Sequence, residues 1–297
     1  QFAPQTAGPY LVGLLCAGAG RCKHQMGFPA ITSPRNQKVK TTVKLRRRKH
    51  RGKQGRTLID GARELSRALS AGVNVTEIYF CPELCNTAES RRLLEQLDEL
   101  AMDIYEVTEN VFEQLAFGDR AEGLLAVAIP PDLGIEDLSL PKNPLIAVVE
   151  GIEKPGNLGA VVRSADGAGI SAVVVADQTT DLYNPNAIRA SLGTVFTVPV
   201  CTATSEEVCD WLQKNDVTIF ATSANGKNVY TGVDFRFPAA IVLGSEATGL
   251  SSVWDDTEIN TINIPMHGLA DSLNISNAAA VLFYEAQRQR LQKPVGP

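Results

Sequence analysis

The sequence predicts an α/β protein in two parts: a small N-terminal α/β unit and a larger, mainly parallel α/β domain. Three observations predict it. Strand-like and helix-like stretches alternate before a proline-rich break and alternate again after it, the pattern of α/β domains. The later strands are short, β-branched and nearly free of polar residues, as parallel strands covered on both faces should be. The length of 297 residues, 44% of them hydrophobic and 21% charged, leaves a core to bury. The longest apolar run, at 10–19, is far short of the roughly 20 residues a membrane span needs, so no membrane association is expected.

Residues 1–55 carry no sustained period and a scatter of Pro, Gly and Thr, so they are expected to be a basic, disordered arm, with order beginning near Leu58. Residues 1–59 hold thirteen Lys/Arg and no Asp or Glu, whereas the remainder holds fifteen against thirty-three. A +13 arm therefore sits on a −18 body, and the net charge of −5 conceals both. Such an arm suits nucleic acid, and a solvated or targeting tail is the alternative. A cytoplasmic location is expected, and the acid-poor start leaves an organelle transit peptide open.

The small unit is expected over 56–130. Ala62, Leu65, Ala68 and Leu69 have the spacing of an amphipathic helix over 60–71, and Gly72 is a plausible stop. Strand-like stretches follow at 76–80, 103–107 and 124–129, with helical ones at 88–101 and 109–116. Four prolines mark 130–144 as the break, and 131–144 is expected to be a linker. The larger domain, 145–297, has expected strands at 145–149, 172–176, 196–200, 218–221, 240–243 and 260–264. Helices fall between them at 158–168, 186–191 and 206–214, and a last one at 277–291. That last helix is apolar over a wide arc, so it is expected to be buried against the sheet or a second subunit. Six cysteines form no CxxC pair and the three histidines lie apart from them, which argues against a structural metal and for free thiols.

Three loops carry candidate chemistry. The first, 150–163, follows a strand and opens a helix. Gly156 and Gly159 flank Asn157, and Arg163 lies one and a half turns into the expected helix. A glycine-rich turn at a strand's carboxyl end is where open α/β sheets bind ligands, but no GxGxxG fingerprint is present. In the second, 241–250, Gly244 would let a ligand approach the backbone, and Glu246 is a carboxylate that hydrophobicity does not explain. In the third, 264–277, Ser272, Asn274 and Ser276 crowd together before the last helix. One of them suffices as its cap.

Taken together, the three loops read ExxxNxGxxxRxAxxxG, VLGxExxGL and IPMxGxxxSLNxSxAAxxxxYE, the first standing as Glu153, Asn157, Gly159, Arg163, Ala165 and Gly169. In this order and spacing they closely resemble the SpoU (TrmH-type) branch of the SPOUT RNA methyltransferases, over about 145–292. Ser245 and Ala247 depart slightly from the usual pattern. The segment 56–129 is similar to the small RNA-binding substrate domain that often precedes this catalytic domain, and residues 1–50 match nothing recognisable.

The resemblance implies a C-terminal trefoil knot, S-adenosyl-L-methionine as cofactor, and a homodimer across which the active site is completed. It implies transfer of a methyl group to a ribose 2′-hydroxyl of RNA, ribosomal RNA before transfer RNA, with no metal. A non-catalytic RNA-binding protein on the same fold is the less favoured alternative. The resemblance puts Leu243, Gly244, Ile264, Met266 and Leu273 around the cofactor. It gives Arg163, Asn157, Glu246, Ser272 and Asn274 catalytic roles. A guanidinium stays protonated, so Arg163 is expected to clamp the phosphate and hydroxyl while a phosphate oxygen or water takes the proton.

Overall fold

The computed structural model describes residues 27–97, 102–117, 122–245 and 247–292. The first part runs β1 (Ala30–Ile31), α1 (Gln37–Lys44), α2 (Arg48–Gln54), β2 (Thr57–Asp60), α3 (Ala62–Ser70), β3 (Asn74–Phe80), α4 (Ala88–Gln96), β4 (Asp103–Val107), α5 (Glu109–Leu115) and β5 (Leu124–Ile129). Its strands form one mixed sheet in the order β1-β4-β3-β5-β2. The far end of the helix expected to reach residue 101 lies outside the described residues.

The expectation that order begins near Leu58 is corrected, because α1, α2 and β1 precede it. Asn36 caps α1 by accepting from the Lys38 amide at 2.8 Å. Val39, Thr42 and Leu45 form its buried side, and α2 ends at Gly55 in the left-handed region (φ 60°). These helices are eight and seven residues long, too short for a periodic pattern to stand out. Part of the positive charge in and just after them is met by acids from elsewhere. Arg51 Nε lies 2.6 Å from Asp181, Arg56 is 3.0 Å from Glu77, and Lys38 is 3.5 Å from Asp103. Arg51 is 4% exposed and also donates to the carbonyls of Leu45 and Arg46, so it belongs to the folded body.

The second part runs β6 (Leu145–Glu150), α6 (Pro155–Ala168), β7 (Ala172–Ala176), α7 (Pro185–Ala190), β8 (Val200–Ala203), α8 (Ser205–Lys214), β9 (Thr218–Thr222), β10 (Asn228–Val229), β11 (Ala239–Leu243), β12 (Asn260–Asn263) and α9 (Ile275–Leu291). Its seven strands lie in the order β10-β12-β9-β11-β6-β7-β8, and every pairing is parallel. Successive side chains point to opposite faces. Ala147, Val149, Val173, Val175, Ile241 and Leu243 meet α6 and α9 on one side. Ile146, Val148, Val174, Ala240 and Val242 meet α8 on the other. Burial on both faces explains why these strands read as continuous apolar runs.

Two further expectations shift. The strand placed at 196–200 begins at Val200: Pro199 contributes only a carbonyl, which accepts from Val173, and residues 194–196 form a tight helical turn with Phe196 stacked on Tyr183 at 5.7 Å. Residues 131–144 are no loose linker, because Leu133, Ile135, Leu138 and Leu140 pack on the α8 face of the sheet.

The two parts share one apolar core, in which Ile59, Leu65 and Ile78 join Leu158, Ile188 and Phe196. Hydrogen bonds stitch the seam. Thr57 donates to the Tyr183 carbonyl (2.6 Å), Arg67 to that of Leu192 (2.6 Å), and Arg189 to that of Phe117 (2.8 Å). Among the described residues no helix is long and apolar enough to cross a membrane.

Candidate functional site

A cleft of about 480 Å³ opens at the carboxyl ends of β9, β11 and β12, the side of a parallel sheet where ligands bind. Its size falls within the range of small-molecule sites, roughly 300–1,000 Å³. Leu243 and Gly244 enter it from β11, Ile264 and Met266 from beyond β12, and Ser272 and Leu273 from the third loop. All five residues expected around a cofactor therefore line one cleft. Ala278 and Leu282 of α9 close it on the inner side.

The glycines of the motifs serve close approach, but to the chain itself. A Cβ on Gly244 would lie 2.4 Å from the Gly249 carbonyl carbon and 2.6 Å from the Leu250 nitrogen. The second loop folds back there: Ser245 and Gly249 exchange backbone hydrogen bonds of 3.1 and 3.0 Å. A Cβ on Gly159 would lie 2.4 Å from the Ala187 carbonyl oxygen, so this glycine lets α6 meet α7. The Cβ side of Gly244 is therefore taken up by its own loop, while the residue also lines the cleft.

The polar candidates divide. Asn274 caps α9, its Oδ1 accepting from the Ser276 amide at 3.0 Å and from the Ser276 hydroxyl at 2.6 Å. Its side-chain amide reaches Asn157 Oδ1 at 3.5 Å, joining the third loop to the first. A smaller recess of about 120 Å³, walled by Asn157, Lys154, Ser245 and Ile275, adjoins the cleft through Ser245 and Ile275. Arg163 stands apart. It is exposed on α6, which starts at Pro155 rather than 158, and it lines neither cavity. Glu246 lies outside the described residues.

Sequence reasoning missed several cleft residues. Thr222 ends β9 and Ser223 and Ala224 follow it, and a polar turn at a parallel strand's carboxyl end was the available signal. Trp254 and Asp255 had none. Nor had Glu150, the last residue of β6, whose buried carboxylate accepts from Ser251 and Trp254. Burial works against its charge, yet the hydrogen bonds from Ser205, Ser251 and Trp254 outweigh that and hold the carboxyl below its ordinary value.

A wholly parallel sheet with a ligand-sized cleft at the ends of three strands defines a ligand-binding α/β domain. Within that class, the chain belongs to the SpoU rRNA Methylase family, whose model matches residues 144–284. Residues 36–126 match the MRM3-like substrate binding domain, so part of the segment that resembled nothing is assigned to it. The chain is 30% identical over 255 residues to the 23S rRNA (guanosine(2553)-2'-O)-methyltransferase RlmP of Bacillus subtilis (strain 168), covering 86% of this chain and 97% of that one. It is similar to the crystal structure of an RNA 2'-O ribose methyltransferase, at 41% identity and a TM-score of 0.79, covering 89% of this chain and 100% of the other. It is also similar to the SpoU methyltransferase AviRb from Streptomyces viridochromogenes in complex with the cofactor AdoMet, at 28% identity and a TM-score of 0.78, covering 86% and 99%.

Proposed function

We propose that this protein transfers a methyl group from S-adenosylmethionine to a ribose 2′-hydroxyl of ribosomal RNA. The observation that carries the reading is the convergence of Leu243, Gly244, Ile264, Met266 and Leu273 on one cleft, beside the contact between Asn157 and Asn274. The lining fits the cofactor. Leu243, Ile264 and Leu273 offer apolar faces to a purine, and Asp255 and Asp271 offer carboxylates to a ligand carrying ammonium and sulfonium charge. When bound, the cofactor supplies the electrophilic methyl group.

The chain's own residues have the rest to do: positioning and removal of one proton. Arg163 donates to the phosphate beside the target ribose and to its hydroxyl, and a phosphate oxygen or water accepts the proton. Asn157 and Glu246 orient this region, while Ser272 and Asn274 hold the ribose. Since Arg163 lines neither the cleft nor the adjoining recess among the described residues, we assign it to the cleft of a second copy in a homodimer. Gly156, Gly167 and Tyr284 leave an open face on α6 and α9 for that pairing. A Cβ on Gly226 would sit 2.5 Å from the Ile262 carbonyl carbon, so the turn after β9 lies hard against β12, a close approach compatible with the family's trefoil knot.

Ribosomal RNA is preferred over transfer RNA because a relative matching along both parts of the chain is named for 23S rRNA. The first test is ligand-induced stabilisation. S-adenosylhomocysteine should raise the melting temperature and NAD should not, since only a ligand that binds the folded state stabilises it. No shift with S-adenosylhomocysteine would refute the assignment.

A further inference from the structure

We propose that Glu150 is a positioning residue that sets the wall of the cofactor cleft. The inference rests on the reading of the cleft given above. Glu150 is 5% exposed, and among the described residues its charge is met by hydrogen bonds alone. Four contacts converge on it: Ser205 Oγ at 2.5 Å, the Ser251 amide at 2.7 Å, Ser251 Oγ at 2.7 Å and Trp254 Nε1 at 3.0 Å. Burying an anion without a cation is costly, and a well-packed apolar residue at the end of β6 would serve stability better. The arrangement therefore points to geometry.

That geometry lies at the cleft. Ser251 directly follows the second loop, and Leu250, Trp254 and Asp255 line the cavity. Glu150 itself begins the first loop. Its two oxygens thus tie the entry of one motif to the exit of another, roughly a hundred residues later in the chain, and fix the indole of Trp254 by its N–H. No neutral side chain of the same shape can do this: a glutamine has one acceptor oxygen, and with that oxygen facing Ser205, the Ser251 hydroxyl and Trp254 its amide N–H is turned against the Ser251 N–H. Ser205 Oγ also lies 2.6 Å from Asp177, which lines no part of the cavity, so Ser205 bears on the cleft through Glu150. It opens α8 on the far side of the sheet, is fully buried and lines no part of the cavity.

The test compares the parent with Glu150→Gln and Ser205→Ala, each in a Trp211→Phe background that leaves Trp254 as the only tryptophan. Calorimetry should give a loss of about ten-fold or more in S-adenosylhomocysteine affinity for Glu150→Gln and a smaller loss for Ser205→Ala. Trp254 emission should shift in both. The KM for the methyl donor should rise while kcat at saturation and RNA affinity are retained. If Glu150→Gln does not fold, Ser205→Ala carries the test. Affinities within about two-fold of the parent together with unshifted emission would overturn the proposal. A parent that binds no S-adenosylhomocysteine would instead overturn the functional reading.

Discussion

Arg163 stands on the exposed side of α6 between the buried Val162 and Ala165, with no hydrogen bond or ion pair among the described residues. A long cation left free on a helix that packs by its other face is available to a substrate phosphate. Replacing Arg163 by Ala should abolish methyl transfer and leave S-adenosylhomocysteine affinity nearly unchanged, because the cleft is lined by other residues. Calorimetry showing binding lost along with activity would contradict the assigned role. Residues of this kind were legible in the sequence, since Asn157, Ser272 and Asn274 are polar groups clustered in loops where packing explains none of them as a set. Glu150 was not. A carboxylate at the end of an apolar strand looks like the start of a solvated loop, and its partners Ser251 and Trp254 come from a distant segment that no local pattern connects to it.

At the scale of elements, long strands and helices with a strong period were legible and short cationic helices were not. β7 and β5 fall where the apolar pattern put them, because strands buried on both faces leave continuous apolar runs, and β4 does too, although only Ile104 and Val107 of it are buried. α1 and α2 are held by tertiary contacts, above all by Arg51 against Asp181, so their own sequence signals little. The junction of β2, α3 and α7 holds a further consequence. Asp60 accepts from the Phe117 amide at 2.5 Å and shares a small recess with Glu64, Glu122 and Arg189. Burial pushes its carboxyl up to about 7, opposed by the Phe117 hydrogen bond and by Arg189, and reinforced by Glu122 and Glu64. An acid whose folded value is raised binds a proton in the folded state that the unfolded state has lost. Stability from this group therefore falls as pH rises between about 4 and 7, by at most about 1.4 kcal/mol per unit. Asp60→Asn should remove that fall, so its stability relative to the parent should grow with pH in urea titrations. Parallel profiles would contradict it.

Across the whole molecule, the charge asymmetry survives as a surface. Lys40, Lys44, Arg47, Lys49 and Lys53 are exposed on α1, α2 and the turn between them. Removing residues 1–55 would also remove Val39 and Leu45 from the core, so substitution is the sound test. Lys40, Lys44, Lys49 and Lys53 replaced together by Ala should weaken RNA binding and flatten its log–log salt dependence by up to about 3.6, at 0.7–0.9 per phosphate contact. The nucleotide methylated should not change. Identical slopes would remove this face from the RNA interface. Light scattering at micromolar concentration should give a dimer, and an active monomer would contradict the cross-subunit role of Arg163. The most direct measurement supplies the protein with ribosomal RNA and S-adenosylmethionine labelled in its methyl group, then hydrolyses the RNA in alkali. Label should appear in an alkali-resistant dinucleotide, because a methylated 2′-hydroxyl can no longer attack the adjacent phosphate, and should be missing with Arg163→Ala. Label released on a base, or none transferred by a protein that binds S-adenosylhomocysteine, would contradict the proposed activity.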